Sequence, residues 1–232
     1  MSEVEREKRS CKHCGSTVRW RQIIHLLSVE LFGHSIALPD FPERPDLKGI
    51  GMSDWDGYSE PLANKCNYQN TYFHQEPRLD ITNIDPALEG QFDFVISSEV
   101  FEHVPTPVSR AFDNVHRLLK PGGVLIFTVP YILTGETIEH FPELYDYQLI
   151  ETDGRYILKN VTQTGVTQVF EDLIFHGGDG ATLEMRVFSE SSLIEQFQQA
   201  GFQDIKIPKD PCFEHGIYSP HHTSYPMSVR KS

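Results

Sequence analysis

Residues 92–130 decide the fold, and they read FDFVISSEVFEHVPTPVSRAFDNVHRLLKPGGVLIFTVP. Phe92–Ser98 is a short run of apolar and β-branched residues, which is typical of a strand that is covered on both faces. Thr106 and Pro107 then predict the N-cap and the first position of a helix, in which apolar residues recur at helical spacing. Because a second apolar run follows at 124–129, we predict a strand, helix, strand unit with a right-handed crossover.

The polar residues between the first strand and the helix follow the carboxyl end of that strand, which is the edge where ligands bind in open α/β sheets. They include Ser98 and Glu99 at the strand tip, followed by Glu102 and His103, and the helix ends in RLLKPGG at 117–123. Together these features resemble the class I S-adenosylmethionine-dependent methyltransferases. The resemblance is specific over this stretch and weaker elsewhere in the chain.

The resemblance implies an α/β fold with a Rossmann-like, mostly parallel sheet and flanking helices. It also implies S-adenosylmethionine as the cofactor, and methyl transfer to an oxygen or nitrogen of a small-molecule, peptide or glycan-like acceptor. In such a transfer the protein mainly holds the acceptor in line with the methyl group and excludes water, which does not require one fixed set of catalytic residues. The sequence therefore identifies the cofactor better than the acceptor. The alternative is a catalytically silent methyltransferase-like module that binds a partner or nucleotide.

The composition limits the classes of partner and the location. The chain has 232 residues, enough for one α/β core, and a mean hydropathy of −0.36, as in globular proteins. With 20 Lys and Arg against 33 Asp and Glu, the formal charge of −13 argues against nucleic acid as a partner. No apolar run approaches the roughly 20 residues that span a membrane. We therefore expect a cytoplasmic protein without membrane or nucleic-acid partners.

Residues 1–46 are predicted to form an N-terminal CxxC turn, a helix and a connector. Cys11 and Cys14 supply half of a tetrahedral zinc site, but no second CxxC follows, so we predict a metal-free turn with zinc as the alternative. Val18–Phe32 has apolar residues on one face, which predicts a helix. A subgroup of the methyltransferase family, with a degenerate glycine-rich motif, opens similarly with CxxCG and a basic-aromatic cluster. We expect Arg19 of that cluster to be solvated.

The cofactor-binding core is predicted at 47–130, and two alignments of its strands are open. In the family the first strand ends in a glycine-rich turn, which Gly49 and Gly51 match only in part. We favour 47–52 as the first strand, because no later element is then missing. The strands that follow it are placed at 68–74, 77–82 and Phe92–Ser98. In the alternative, 47–52 is already the second strand and the glycine turn has been lost.

On the favoured alignment, the resemblance places the cofactor at the strand ends. It implies that the Asp80 side chain reaches the adenine amino group and that the backbone amide of Ile81 contacts a ring nitrogen. Residues after the first strand would edge the methionine part, and those after the second would face the ribose. For Asp80 the alternative is a side chain that caps a turn. The predicted cofactor-binding residues are Gly49, Gly51, Met52, Ser53, Asp54, His74, Asp80, Ile81, Ser97, Glu99 and Val100.

Residues 131–178 are predicted to form a β-rich insertion after strand five. The runs at 145–151, Arg155–Val161 and 166–175 are typical of strands, and the Asp-Gly pair between the first two is a strong hairpin signal. We expect the insertion to cover the active site and to determine substrate selectivity. Residues 179–232 are assigned to the C-terminal part of the core and a tail.

Histidines near the insertion are the predicted catalytic residues, because imidazole has a pKa suited to taking a proton from an acceptor. The predicted general bases are, in order of preference, His140, His176 and His103. The glycine-rich stretch at 175–186 implies a backbone that turns sharply or approaches a ligand. The predicted substrate-binding residues are Tyr131, Glu184 and Arg186. For His103 and its neighbour Glu102, shaping the cofactor cleft is favoured over catalysis.

Overall fold

The computed structural model describes residues 6–177, 182–218 and 224–232. The predicted glycine-rich turn at 177–180 lies mostly outside the described residues. The helices are α1 (Val18–Phe32), α2 (Asp56–Ala63), α3 (Ser109–Leu118) and α4 (Glu190–Gln199). The strands are β1 (Arg44–Met52), β2 (Cys66–Thr71), β3 (Phe92–Ser98), β4 (Leu119–Thr128), β5 (Tyr131–Ile132), β6 (Ile138–Glu139), β7 (Asp146–Thr152), β8 (Arg155–Val161), β9 (Thr167–Phe170), β10 (Phe175–His176), β11 (Thr182–Leu183), β12 (Arg186–Ser189), β13 (Phe202–Lys206) and β14 (Met227–Lys231).

The central element is a six-stranded sheet in the order β2-β1-β3-β4-β14-β13. Strands β1 to β4 run parallel, whereas β14 is antiparallel to both of its neighbours. The chain steps from β1 outward to β2 and returns at β3 to the other side of β1, so the strand order reverses between β1 and β3. The predicted α/β, mostly parallel, Rossmann-like sheet is thereby confirmed. The central position of β1 agrees with the favoured alignment, in which it is the first strand.

The third strand predicted from the sequence is wrong as an element of this sheet. The segment makes one isolated parallel bridge, between Tyr72 and Arg78. Pro77 has no backbone N–H to donate to a ladder. Asp80 then accepts a hydrogen bond from the backbone N–H of Thr82 at 2.9 Å, which turns the chain. An extended strand does not continue through these two features.

Helix α3 and strand β4 begin at positions other than those predicted. The helix starts at Ser109, with Val108 at the N-cap position and no side-chain cap, so the predicted cap at Thr106 is wrong. Strand β4 starts at Leu119, directly after the helix. Its pairing with β3 shifts register at the predicted Pro-Gly-Gly turn, which forms a bulge within the strand.

Both faces of the sheet are covered, which explains the uninterrupted apolar runs of β3 and β4. Neighbouring residues of a strand point to opposite faces. Phe94 accordingly packs with residues of α1 and α2, and Val95 packs with residues of α3 and α4. Burying each such side chain contributes roughly 1.5–3 kcal/mol, and the packing fixes the strand ends that carry the site.

The segment after β4 is rich in strands, as predicted. Strands β7, β8 and β9 form an antiparallel sheet, and the turn between β7 and β8 joins Thr152 to Arg155. Strand β12 pairs in parallel with β5 and antiparallel with β6. A separate apolar cluster forms around Leu158. Within the described ranges, no helix has the length and apolar character that a membrane span requires.

Candidate functional site

A cavity of about 820 Å³ opens at the carboxyl ends of β1, β2 and β3. The strand order reverses at this point, and the volume lies within the range of small-molecule sites. Tyr147 and Met185, from the segment after β4, close another wall. The sequence-predicted residues that line the cavity are Met52, Ser53, His74, Asp80, Ile81, Glu99, Val100, His103 and His176.

Gly49 and Gly51 make room for aromatic side chains and do not line the cavity. A Cβ atom on Gly49 would overlap the Phe94 ring, and one on Gly51 would overlap the Tyr68 hydroxyl and the Asp54 carboxylate. The two rings stack with their centroids 5.8 Å apart, in the core between the sheet and helices α1 and α2. The incomplete glycine pattern is therefore explained by core packing, not by the predicted approach to a cofactor.

Asp54 is buried beneath the tip of β1 and does not line the cavity. Its carboxylate accepts hydrogen bonds from the hydroxyls of Tyr58, at 2.5 Å, and Tyr68. Its backbone N–H donates to Asn70 Oδ1 at 2.9 Å. Burial raises the pKa of Asp54 to about 7, against the effect of both hydroxyls and of the Arg19 charge. These contacts give Asp54 a role in holding the turn after β1, instead of the predicted cofactor contact.

Replacing Asp54 with asparagine is expected to remove a pH-dependent part of the stability. The folded-state pKa of about 7 lies above the usual 3.8, so between these values the folded protein binds more protons than the unfolded chain. The contribution of Asp54 is complete below about pH 4 and falls as the pH rises through about 7, by at most about 1.4 kcal/mol per pH unit. Urea unfolding across this range measures the slope. An equal slope in Asp54→Asn and the wild type would contradict the assignment.

Ser53 and Glu99 form the turns at the ends of β1 and β3. Each has a φ of +57°, a value that L-residues seldom adopt outside tight turns. The Glu99 carboxylate lies 2.9 Å from the Arg6 guanidinium and 3.9 Å from that of Arg19. Burial favours the neutral acid, but the two guanidinium groups lower the pKa of Glu99 below its usual value. Glu99 is therefore an anchored anion in the cavity wall.

Asp80 and Ile81 line the adjacent wall. Asp80 Oδ1 accepts hydrogen bonds from the backbone N–H and the hydroxyl of Thr82, at 2.9 and 2.7 Å, so the predicted alternative of a turn cap is observed. The carboxylate nevertheless borders the cavity. The Ile81 carbonyl accepts a hydrogen bond from Asn114 Nδ2 at 2.8 Å. Ser97 is fully buried, and within the described part of the chain its hydroxyl has no hydrogen-bond partner.

Glu102, His103, His140, His176 and Glu184 form a histidine–glutamate cluster at one end of the cavity. The Glu184 carboxylate joins two of the rings, with one oxygen 2.9 Å from His140 Nε2 and the other 3.0 Å from His176 Nε2. The His103 and His176 rings meet edge to face with centroids 4.8 Å apart. Of the three predicted bases, His103 and His176 line the cavity and His140 does not.

Burial controls the charge of this cluster. Glu102 is fully buried, and this burial, together with the nearby carboxylates of Glu99 and Glu184, raises the pKa of Glu102 well above its usual value. Burial also lowers the pKa of His103, against the effect of its contact with the Leu183 carbonyl. The His103 imidazole is therefore neutral near pH 7, which leaves one ring nitrogen with a free electron pair.

Tyr131 and Arg186, which the sequence analysis assigned to substrate binding, do not line the cavity. Arg186 is 1% exposed, and its guanidinium lies 2.7 Å from the Glu139 carboxylate and donates to the Phe101 carbonyl at 3.2 Å. The Tyr131 hydroxyl accepts a hydrogen bond from the backbone N–H of Tyr225 at 3.0 Å. Both side chains are engaged in the core, so neither is positioned to contact a ligand in this cavity. The third residue of that set, Glu184, belongs to the histidine–glutamate cluster.

Cys11 and Cys14 lie in a tight turn, which the Gly15 N–H closes by donating to the Cys11 carbonyl at 3.0 Å. Hydrogen bonds from the backbones of Cys14 and His13 lower the pKa of Cys11 to about 7. In the part of the chain that the structure describes, no third His, Cys, Asp or Glu joins this pair as a potential metal ligand. The pair thus has the chemistry of half a zinc site.

Several residues of the cavity wall, and two arginines that contact the tip of β3 beside it, were not predicted from the sequence. Residues 71–73 line the cavity because β2 ends at Thr71, earlier than predicted, and the loop after that strand turns toward it. Arg19, expected to be solvated, reaches the Ser98 hydroxyl and is 12% exposed. Arg6 comes from the charged N-terminal segment, where no local pattern indicates its contact with the strand tip.

The chain is similar to known proteins along much of its length. The family described as methyltransferase domain matches residues 42–207. The ubiquinone biosynthesis O-methyltransferase of Psychrobacter cryohalolentis is 29% identical over 115 residues, which are 49% of this chain and 40% of that protein. The putative methyltransferase YqeM of Bacillus subtilis is 27% identical over 175 residues, or 71% of this chain and 68% of that one. This chain therefore spans less than half of the ubiquinone enzyme.

Solved structures with low sequence identity share the fold. A S-adenosylmethionine-dependent methyltransferase from Clostridium acetobutylicum superposes with a TM-score of 0.51 at 14% identity, over 92% of this chain and 91% of that one. The CurJ carbon methyltransferase gives 0.54 at 12% identity, over 94% of this chain and 56% of that one. Because the family match covers more than half of the sequence, the chain belongs to the methyltransferase domain family.

Proposed function

We propose that this protein transfers a methyl group from S-adenosylmethionine to an oxygen or nitrogen of a small-molecule acceptor. The observation that carries the proposal is a single cavity that joins the tips of β1 and β3 to the histidine–glutamate cluster. One end has the features of a cofactor site, and the other has groups that can handle a proton. The cofactor supplies a methyl group that its sulfonium already activates, so the chain mainly aligns the acceptor and excludes water.

The residues at the strand tips fit the cofactor. The cavity volume of about 820 Å³ leaves room for both a nucleoside and an acceptor. The Asp80 carboxylate can accept a hydrogen bond from an adenine amino group, with Ile81 beside the ring. Met52 and Ser53 border the proposed place of the methionine part, and His74, after β2, borders that of the ribose.

The acceptor is proposed to lie beside His103 and His176, at the other end of the cavity. These rings can take or direct the proton of a hydroxyl or amine, and Glu184 holds His176 in one orientation through its Nε2 atom. Similarity to ubiquinone biosynthesis O-methyltransferases favours oxygen as the receiving atom, although this chain covers 40% of their length. Peptide and glycan-like acceptors would have to present one hydroxyl or amine at the same position.

Asp80→Ala is expected to weaken the binding of S-adenosylhomocysteine about 10- to 100-fold. The variant loses a hydrogen bond to a charged group, which contributes about 1.5–3 kcal/mol. Calorimetric titration of the full chain measures the change. Asp85→Ala is the matched control, because Asp85 also caps a turn, through the Ala87 N–H at 2.9 Å, but does not line the cavity. Equal affinity in the two variants would refute the placement of the adenine.

Transfer of a labelled methyl group separates an enzyme from the silent binding module. We expect wild-type protein with labelled S-adenosylmethionine to label a compound in the small-molecule fraction of a cell extract. Heat-inactivated protein is the control. Tight binding of S-adenosylhomocysteine without label in any fraction, including peptides and glycans, would favour the silent module. Failure to bind S-adenosylhomocysteine would overturn the proposal itself.

A further inference from the structure

Glu102 is the least satisfied polar group of the histidine–glutamate cluster. Its side chain is fully buried, and neither carboxylate oxygen has a hydrogen-bond partner among the described residues. The nearest ring nitrogens are His103 Nε2 at 3.6 Å and His176 Nδ1 at 4.0 Å, both measured to Oε1. These separations exceed hydrogen-bond distances, so a shared proton does not bridge the groups. A buried, unpaired carboxyl group is costly, and its place beside two imidazoles needs an explanation.

In each of the two imidazoles, the ring nitrogen farther from Glu102, here called the outer nitrogen, contacts a hydrogen-bond acceptor. His103 Nδ1 lies 2.9 Å from the Leu183 carbonyl oxygen, and His176 Nε2 lies 3.0 Å from the Glu184 carboxylate. A carbonyl or carboxylate oxygen accepts a hydrogen bond, so each of these nitrogens carries a proton. The other ring nitrogens, His103 Nε2 and His176 Nδ1, are the ones nearest to Glu102. Histidines that ligate metals are oriented in the same way, by a carbonyl or carboxylate on the outer nitrogen.

The geometry points to a binding site for a divalent transition-metal ion formed by Glu102, His103 and His176. One ligand atom from each of the three lies within 4.8 Å of the others. Ligand distances of about 2.0–2.2 Å would place these atoms roughly 3–3.5 Å apart. The side chain of His176 is 38% exposed, so it is the ligand with the most freedom to close the difference. Two imidazoles and one carboxylate suit ions such as Zn²⁺ and Mn²⁺.

The position of this site gives the ion a role in the proposed methyl transfer. His103 and His176 line the cavity, and Glu102 lies behind them, so open coordination positions would face the acceptor. An acceptor hydroxyl bound to the ion loses its proton more readily. The O–H bond breaks and the proton passes to solvent water. A new O–CH₃ bond forms as the methyl–sulfur bond breaks, which leaves S-adenosylhomocysteine. This role rests on the proposed function, whereas metal binding itself does not.

Metal binding is tested on the full chain after treatment with a chelator. We expect calorimetric titration with MnCl₂ to show one site in the wild type, and Glu102→Gln and His176→Asn to weaken it at least about 100-fold. His34→Asn, at an exposed histidine outside the cavity, is the matched control. Thermal unfolding of each variant shows that it is folded. His176→Asn remains informative if Glu102→Gln does not fold, because His176 is half exposed.

Two further titrations show which residues bind a metal ion and whether the cofactor site is intact. Titration with ZnCl₂ is repeated on Cys14→Ser, because thiolates bind zinc and the Cys11–Cys14 turn could hold it. Binding that disappears in Cys14→Ser and survives in His176→Asn would overturn the proposed site, as would no binding of either metal to the wild type. S-adenosylhomocysteine is titrated separately. If it binds while both metals fail, the metal site falls and the proposed function stands. If a metal binds and S-adenosylhomocysteine does not, the metal site stands and the proposed function falls.

Discussion

Arg186→Met is expected to lower the free energy of unfolding by about 3–5 kcal/mol, the cost of breaking a buried ion pair. The Arg186 side chain is 1% exposed and connects β12 to two other elements. Its Nε atom lies 2.7 Å from Glu139 Oε1, and one terminal nitrogen donates to the carbonyls of Phe101 and Val104. Methionine can fill the space of the stem but cannot donate. The Glu139 carboxylate and both carbonyls would lose their partner.

The same substitution at Arg44 shows whether the loss of stability in Arg186→Met comes from the burial of the guanidinium or from the loss of any arginine. Arg44 pairs with Asp46 at 2.5 Å, but their side chains are 41% and 61% exposed. Exposed ion pairs contribute little to stability, so we expect Arg44→Met to leave the free energy of unfolding nearly unchanged. Urea unfolding measures both variants. A loss in Arg186→Met that is no larger than in Arg44→Met would show that the buried guanidinium is not needed for the fold.

Arg186 also supports the turn that carries part of the candidate site. The carbonyls that Arg186 holds belong to the turn that carries Glu102 and His103. Loss of the guanidinium is therefore expected to disturb the histidine–glutamate cluster, even though Arg186 does not line the cavity. An effect of this variant on methyl transfer would be a positioning effect, and it would accompany the loss of stability.

The parts of the fold that the sequence predicted depend on local patterns. Val18–Phe32 was predicted as a helix with the observed bounds, because its apolar face and its terminal glycine are local signals. The strands at Phe92–Ser98 and Arg155–Val161 were identified in the same way. Residues 77–82 were misassigned as a strand. The Asp80 side chain accepts a hydrogen bond from the Thr82 backbone N–H, and this local bond competes with the backbone hydrogen bonds that a strand would make to its neighbour.

The parts of the site that the sequence did not predict depend on contacts between distant residues. Glycine at 49 and 51 suggested a cofactor turn, but the partners that require it are Phe94 and Tyr68, which only the fold brings near. Arg186 looked like a substrate ligand because it follows a glycine-rich stretch. Its partner Glu139 lies in another strand, and a charged residue has no pattern that distinguishes a buried pair from a free one.

His176→Ala is expected to lower the rate of methyl transfer at least about 100-fold, with little change in S-adenosylhomocysteine affinity. The ring lines the acceptor end of the cavity, and its contacts are with His103 and Glu184, away from the proposed adenine site at Asp80. The loss is expected whether the imidazole takes the proton itself or ligates a metal ion that makes the bound acceptor hydroxyl more acidic. The measurement is the initial rate of labelling of the acceptor fraction, with affinity from calorimetry.

His140→Ala is the informative comparison, because the sequence analysis ranked His140 first. Its Nε2 atom lies 2.9 Å from Glu184 Oε1, but the ring does not line the cavity, so it can act only through Glu184 and His176. A residue in that position typically contributes about 10- to 100-fold. We therefore expect His140→Ala to be the milder variant, and a larger loss there than in His176→Ala would restore the original ranking. An unchanged rate in His176→Ala would remove His176 and Glu184 from the reaction. Among the described residues of the cluster, His103 would then be the remaining histidine that lines the cavity.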